Sequence, residues 1–143
     1  MFASSCEPAG NYGTYYASNA NDSNPQTEWV EGAYGSNAIG TGETLTFNFS
    51  RRDISGFVIQ AGMFRSSESF KRNCRPATIR IHMEGVPPIT VTLKDIMKNQ
   101  IVLFSQSVNT SYLTIELCTF YTEGVDDTKG LATCISDVWI LQD

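Results

Sequence analysis

Leu113-Thr114-Ile115-Glu116-Leu117-Cys118 alternates apolar and polar side chains residue by residue. In an extended chain successive side chains point to opposite faces. This stretch therefore turns Leu113, Ile115 and Leu117 one way and Thr114, Glu116 and Cys118 the other, the pattern of a strand with one buried face. The same period recurs elsewhere. Leu45, Phe47 and Phe49 alternate with Thr46 and Asn48; Ile79, Ile81 and Met83 with Arg80 and His82; Ile89, Val91 and Leu93 with Thr90 and Thr92. Denser apolar runs at 54–61, 101–104 and 135–141 suit more fully buried strands. About seven strands separated by turn residues, with no convincing amphipathic helix, predict an all-β, antiparallel β-sandwich or barrel. No repeat or linker divides the chain, so residues 1–143 read as one domain.

The bulk composition agrees. In 143 residues, apolar types make up 41% and aromatics 11%, enough for a packed core. Charged residues are only 17%, and Ser, Thr and Asn fill the gap, a mix that suits a secreted or surface, strand-rich domain. The net charge of −5 and the absence of a Lys/Arg cluster beyond Arg51-Arg52 argue against nucleic acid and against an anionic membrane surface. No apolar run reaches the roughly 20 residues a bilayer-spanning helix needs. Met1 leads straight into polar Ala3-Ser4-Ser5 without a signal-peptide pattern, which suggests a domain taken from a longer chain.

Catalysis finds little support. His82, the lone histidine, sits at an outward strand position with no evident Ser or Cys partner. Cys6, Cys74, Cys118 and Cys134 lack zinc spacing; they permit three full pairings or four buried thiols. Three Asn-x-Ser/Thr triplets begin at Asn21, Asn48 and Asn109, as chance allows in so polar a chain. No phosphate loop or metalloprotease helix appears.

Residues 1–42 lack regular periodicity and read as loops rich in Gly, Asn, Ser and Tyr. Within them, Asn19-Ala20-Asn21-Asp22-Ser23-Asn24-Pro25-Gln26-Thr27-Glu28-Trp29 gathers hard oxygen donors. Ca²⁺ takes about six to eight such oxygens, side-chain and main-chain mixed. Asp22, Asn24 and Thr27 are its candidate ligands, with Trp29 anchoring the loop end; the alternative is an Asx-turn held by its own hydrogen bonds.

This loop resembles the Asp-Gly-Asp-x-x-Thr-x-Trp loop of the discoidin, or galactose-binding-like, superfamily, which includes coagulation-factor C-type domains and many carbohydrate-binding modules. Val30-Glu31-Gly32, Ala38-Ile39-Gly40, Ala61-Gly62-Met63-Phe64, Lys71-Arg72-Asn73-Cys74-Arg75-Pro76 and Thr133-Cys134-Ile135-Ser136-Asp137-Val138 follow in order. They are similar to the bacterial branch containing the translocation domain of NAD-glycohydrolase toxins. The resemblance covers nearly the whole chain and implies a galactose-binding-like jelly roll. It adds Asp137 to the Ca²⁺ ligands. Ser23 stands for a usual Gly, Asn24 for a usual Asp, Asp137 for a usual Glu and Ala132 for a usual Asp, and residues 124–131 look inserted. By bringing the chain ends together, the implied fold also suggests a Cys6–Cys134 bridge, with Cys74–Cys118 as the second pair.

Ligands in that superfamily bind at loops on one end of the sandwich. The candidates here are Glu31, Tyr34, Phe64, Arg65, Arg72, Asn73, Arg75 and Tyr121, an aromatic-and-planar-polar set suited to sugars. Each has a structural alternative: Trp29 in the core, Glu31 paired with Arg75, Tyr34 and Tyr121 covering loop bases, Phe64 as a loop anchor, and Asp126-Asp127 simply solvated. Three functions follow in descending order: a glycan- or glycoprotein-binding module at the cell surface, a protein- or membrane-docking module, and an enzyme acting on glycosides or NAD.

Overall fold

The computed structural model describes residues 1–33, 39–125 and 131–143. Among them lie seven strands: β1 (Phe2–Ala3), β2 (Trp29–Val30), β3 (Thr44–Ala61), β4 (Arg75–His82), β5 (Ile89–Thr92), β6 (Gln100–Tyr121) and β7 (Cys134–Gln142). Their ladders are all antiparallel. The expected all-β sandwich is the observed fold.

Two strands are long enough to serve both layers. The first part of β3 pairs with the last part of β6, Leu45 opposite Ile115 and Phe47 opposite Leu113. There β1, β4 and β5 complete one layer. The second part of β3 pairs with the first part of β6, Phe57 opposite Val102, and β7 and β2 complete the other layer. The sequence pattern splits each of these strands in two, at 45–49 and 54–61 and at 101–104 and 113–117. The structure joins them instead. At the corner Asn48 pairs with Tyr112 and Arg52 with Thr110, so Phe49, Ser50 and Arg51 face Ser111 alone. A bulge of this kind bends the strand without ending it. Its polar residues read as a turn in the sequence.

The inward faces close on one core. Leu45, Phe47, Ile79, Ile81, Leu113, Ile115 and Leu117 come from one layer, and Ile54, Phe57, Ile59, Val108, Ile135 and Val138 from the other. Trp29 is wholly buried among them and donates its indole N–H to the Ser5 carbonyl at 2.8 Å. The alternation read in the sequence is thus the core list.

The helix missed by periodicity is α1 (Ser67–Arg72), capped by Ser66, whose hydroxyl accepts from the Ser69 N–H at 3.0 Å. Six residues are too few to display a helical period. The expected Cys6–Cys134 and Cys74–Cys118 bridges are absent: all four cysteines are free thiols. Cys134 is turned wholly inward on β7, whereas Cys6 is exposed. Burial pushes the Cys134 thiol well above its ordinary value, so it stays neutral.

Gly56 lies tight against β6; a Cβ there would meet the Val102 carbonyl oxygen at 2.0 Å. Gly56→Ala is expected to destabilise the domain by roughly 1–3 kcal/mol through overpacking, read as a lowered midpoint in urea with an unchanged m-value.

Candidate functional site

The strand register collects one set of loops at one end. Ala61 meets Ile135, Arg75 meets Tyr121, and the Tyr121 hydroxyl donates to the Leu93 carbonyl at 2.7 Å. The segments leaving these strand ends, 62–74, 93–99, 122–125 and 131–133, therefore lie side by side, joined by the N-terminal loops.

Arg75 ties this end together. It is 3% exposed and pairs with the Asp95 carboxylate through two N–H donors, at 3.0 and 2.9 Å. The rest of its fork donates to the carbonyls of Phe70, Lys71, Asn73 and Glu123. One planar cation thus fixes α1 and two loops at once, as a bidentate guanidinium can and an ammonium cannot. Beside it opens a pocket of about 410 Å³ lined by Phe70, Lys71, Arg75, Asp95, Glu123 and Gly124. The expected alternative of Glu31 with Arg75 is replaced by Asp95 with Arg75.

Arg65 forms a second anchor. It grips the wholly buried Glu28 with two donors, both at 2.7 Å, and donates to the Tyr12 carbonyl at 3.0 Å. Tyr12 sits in a tight turn closed by two backbone hydrogen bonds between Gly10 and Gly13. Gly13 has φ of +124°, which glycine tolerates and other residues do not. The turn leaves Tyr12 79% exposed, its backbone carbonyl held by the half-buried Arg65. Phe64 itself packs edge-on to Phe70, their ring centres 5.8 Å apart.

The two chain ends do meet around Asp22. The Asp22 carboxylate accepts from the Asn24 N–H at 3.0 Å and from the Thr27 hydroxyl. Asp137, almost wholly buried, accepts from the Val138 N–H at 3.1 Å and from the Ser23 N–H. Burial, with the Asp22 charge added, raises Asp137 to about 6. Ser23 holds φ of +57°, the left-handed conformation that explains a usual Gly there. No group of three acids, His or Cys clusters here among the described residues. The donor set is two carboxylates with amide, hydroxyl and carbonyl oxygens. That composition fits a hard oxygen-seeking cation and no softer one.

The family follows from comparison. Residues 1–141 match the family described as NAD glycohydrolase translocation F5/8 type C domain. The chain belongs to that family. Among solved structures, a family 32 carbohydrate-binding module of C. perfringens NanJ in complex with galactose is similar at 18% identity and TM-score 0.68, over 96% of this chain and 89% of that one. A Clostridium perfringens family 32 module in complex with GalNAc-β-1,3-galactose reaches TM-score 0.70 at 12% identity, over 97% and 91%. The family 32 module of AlyQ in complex with 4,5-unsaturated mannuronic acid reaches 0.64 at 14%, over 99% and 92%. At these identities the likeness is one of fold. No curated protein matches the chain.

In this F5/8 type C domain the sequence-predicted ligand residues divide by burial. Arg65 is bonded to the backbone of the exposed Tyr12, and Phe64, its chain neighbour, packs on Phe70. Arg72 is solvent-facing, paired with Glu68 one turn earlier at 2.6 Å. Asn73 donates to the Ser69 carbonyl at 2.8 Å, closing α1. Arg75 and Tyr121 hold loops from beneath. Glu31 is wholly buried and accepts from the N–H groups of Ala33 and Thr133, at 2.9 and 3.1 Å. Burial lifts it to about 7. Tyr34 and Asp126-Asp127 lie outside the described residues. Tyr12 and Asp95 went unread in the sequence. The Gly10-Asn11-Tyr12-Gly13 pattern carries a turn signal that would have projected Tyr12 outward. Asp95 has none, because only the fold brings it to Arg75.

Arg75→Met is expected to cost about 3 kcal/mol or more, since it strands Asp95 and four carbonyls. Asp95→Asn should cost much less, because the carbonyl acceptors remain. Denaturant melts of the two variants check the order.

Proposed function

We propose that this domain is a non-catalytic carbohydrate-binding module of a secreted or surface protein, taking its glycan at the loop end around Tyr12, Phe64 and Arg65. The observation that carries it is Tyr12, 79% exposed on a turn whose backbone is held by the fixed Arg65 guanidinium. An exposed aromatic face packs on the C–H patch of a sugar ring, and a planar donor fork recognises hydroxyls. Arg72, exposed on α1, which follows Arg65 in the chain, is a further candidate contact. Glu31, Asn73, Arg75 and Tyr121 serve by shaping the loops. The fold shared with sugar-complexed modules supports the assignment without naming a sugar.

Tyr12→Ala is expected to weaken glycan binding at least tenfold while leaving the melting temperature unchanged, checked by a glycan array and then by calorimetry on the hits. A blank array, or hits that survive the substitution, would sink the loop-end site. A second function, docking onto a protein, is favoured by the family's description as a translocation domain; it predicts a blank array with capture of the attached NAD glycohydrolase or its partner.

The ion expected from the sequence belongs to the same proposal: Asp22, Asn24, Thr27 and Asp137 hold a structural Ca²⁺ that fixes the N-terminal loop against β7. The pH dependence gives the sign. An acid whose folded value is raised stabilises the fold while protonated, so the contributions of Asp137 and Glu31 are complete below about 4 and are lost as pH rises through 6 to 7. Without Ca²⁺, their contribution to stability falls between pH 5 and pH 7.5. Ca²⁺ needs Asp137 ionised, so the gain from added Ca²⁺ should be large at pH 7.5, about 2.7 kcal/mol at a hundredfold excess over Kd, and small at pH 5. Asp137→Asn should abolish most of that gain. Thermal melts in EDTA and in Ca²⁺ at both pH values test it; identical melts at pH 7.5 would refute the ion.

A further inference from the structure

We propose that Arg52 anchors a second ligand site, a pocket that takes the carboxylate of a uronic-acid sugar. The first sign is an imbalance of charge. The chain has six arginines and fifteen acids. Five of the arginines meet a carboxylate: Arg51 with Glu84, Arg65 with Glu28, Arg72 with Glu68, Arg75 with Asp95, and Arg80 with Glu116. Arg52 meets none among the described residues. Its recorded contact is with an aromatic face, the guanidinium carbon 4.5 Å from the Phe49 ring centre. Its Nε–H is sealed from solvent with no acceptor. A buried donor without a partner is rare; here it marks an arginine whose charge no acceptor among the described residues meets, on a side chain that is still partly exposed and so open to an anion from outside.

The second sign is the cavity into which this side chain is built. Arg52 lines a pocket of about 360 Å³ with Met1, Phe49 and Ile140 as its apolar wall, the buried Phe47 beneath, and Ser18, Asn21 and Asn48 at its polar edge. That volume falls in the range of small-molecule sites, roughly 300–1,000 Å³. The bulge at Phe49–Arg51 sets the geometry, placing Arg52 opposite Thr110 and re-aiming the strand where β3 turns between layers. The register puts this corner toward the opposite end of the strands from Arg75 and Tyr121, so it is distinct from the loop-end site.

The donors define the ligand. One planar monocation matches one planar carboxylate, forked to forked. Phosphate sites gather several side-chain cations or a nest of backbone N–H groups, and among the described lining residues Arg52 is the one cationic side chain. Two carboxamides and a hydroxyl suit ring hydroxyls, and Met1, Phe49 and Ile140 suit ring C–H groups. A carboxylate carried on a polyhydroxylated saturated ring satisfies all of these together. The site does not depend on the loop-end glycan site.

The test is a titration of the ¹⁵N-labelled domain with sodium glucuronate and, separately, with glucose, which lacks only the carboxylate. The Arg52 Nε–H, shielded from solvent, should give its own cross-peak. Expected are a saturable shift of that peak and of the Phe49 and Asn48 amides with glucuronate, at least tenfold weaker saturation with glucose, and loss of the glucuronate response in Arg52→Gln. Tyr12→Ala should leave the response intact. Should Arg52→Gln fail to fold, the wild-type shift map decides alone. Shifts centred on Tyr12 and Arg65, equal responses to the two sugars, or no saturation would overturn the site. Array hits with a silent Arg52 would leave the loop-end site standing and remove this one; the reverse pattern would do the opposite.

Discussion

The antiparallel pairing of β3 with β6 is the constraint on which the rest depends. These two strands pair in both layers, so the layers are not separate sheets pressed together by their apolar faces. They share a backbone ladder that bends at Phe49–Arg51 and again near Gly56. Fixing the register on one side of the corner fixes it on the other, because a slip by one residue would put Leu45 and Phe47 on the opposite face of the sheet from Leu113 and Ile115. Every strand end follows from that register. Ala61, Arg75, Leu93, Tyr121 and Cys134 arrive together, and the loops between them have nowhere else to lie. The candidate site is thus a consequence of strand length and register, finished by Arg75 and Arg65.

The sequence made the core legible and the corners illegible. Alternation at Leu113–Cys118 and Ile79–Met83 is a local property, imposed by a strand with one wet and one dry face, and it survives into the fold unchanged. The continuity of β3 through Ser50-Arg51-Arg52-Asp53 could not be read, since a bulge and a turn draw on the same polar residues. The site was legible where its meaning is also local. Asp22 and Thr27 do hydrogen-bond within their own loop, and the family pattern brought Asp137 to them. The partner of Arg75 was not legible, because Asp95 is chosen by a loop that only tertiary structure delivers. The cysteine pairing drawn from the family's meeting ends failed for a local reason. β7 points Cys134 into the core while the adjacent N-terminal segment leaves Cys6 outside.

Charge is distributed with a logic of its own. In a chain that is acidic overall, arginines sit at structural joints: Arg65 neutralises the buried Glu28 under the N-terminal turn, and the buried Arg75 meets the more exposed Asp95 under the loops. Two other acids, Glu31 and Asp137, are buried with backbone N–H donors and, among the described residues, no cationic side chain in hydrogen-bond contact. The two cases differ in what lies beside them. Glu31 is enclosed by Gly40, Ala33 and Thr133 and has its lone pairs met, so protonation alone can relieve its burial. Asp137 faces a second carboxylate across an oxygen-lined loop. Protonating Asp137 ends that repulsion at low pH; above about 6, where Asp137 is charged, a divalent ion would end it instead.

Placing function at loop tips and corners keeps it separable from the core. Tyr12 stands on a glycine-bounded turn whose side chain packs against little, so replacing it changes a surface and leaves the sandwich alone. Arg52 stands on a strand, held by the bulge and by the Phe49 ring, so its geometry is set by the framework itself. The first kind of site drifts easily in specificity, as sandwich modules of one fold and little sequence identity take different sugars. The second cannot drift without disturbing the ladder that joins the layers. If both bind, the loop end would set which glycan is preferred and the corner would set only whether it carries a negative charge.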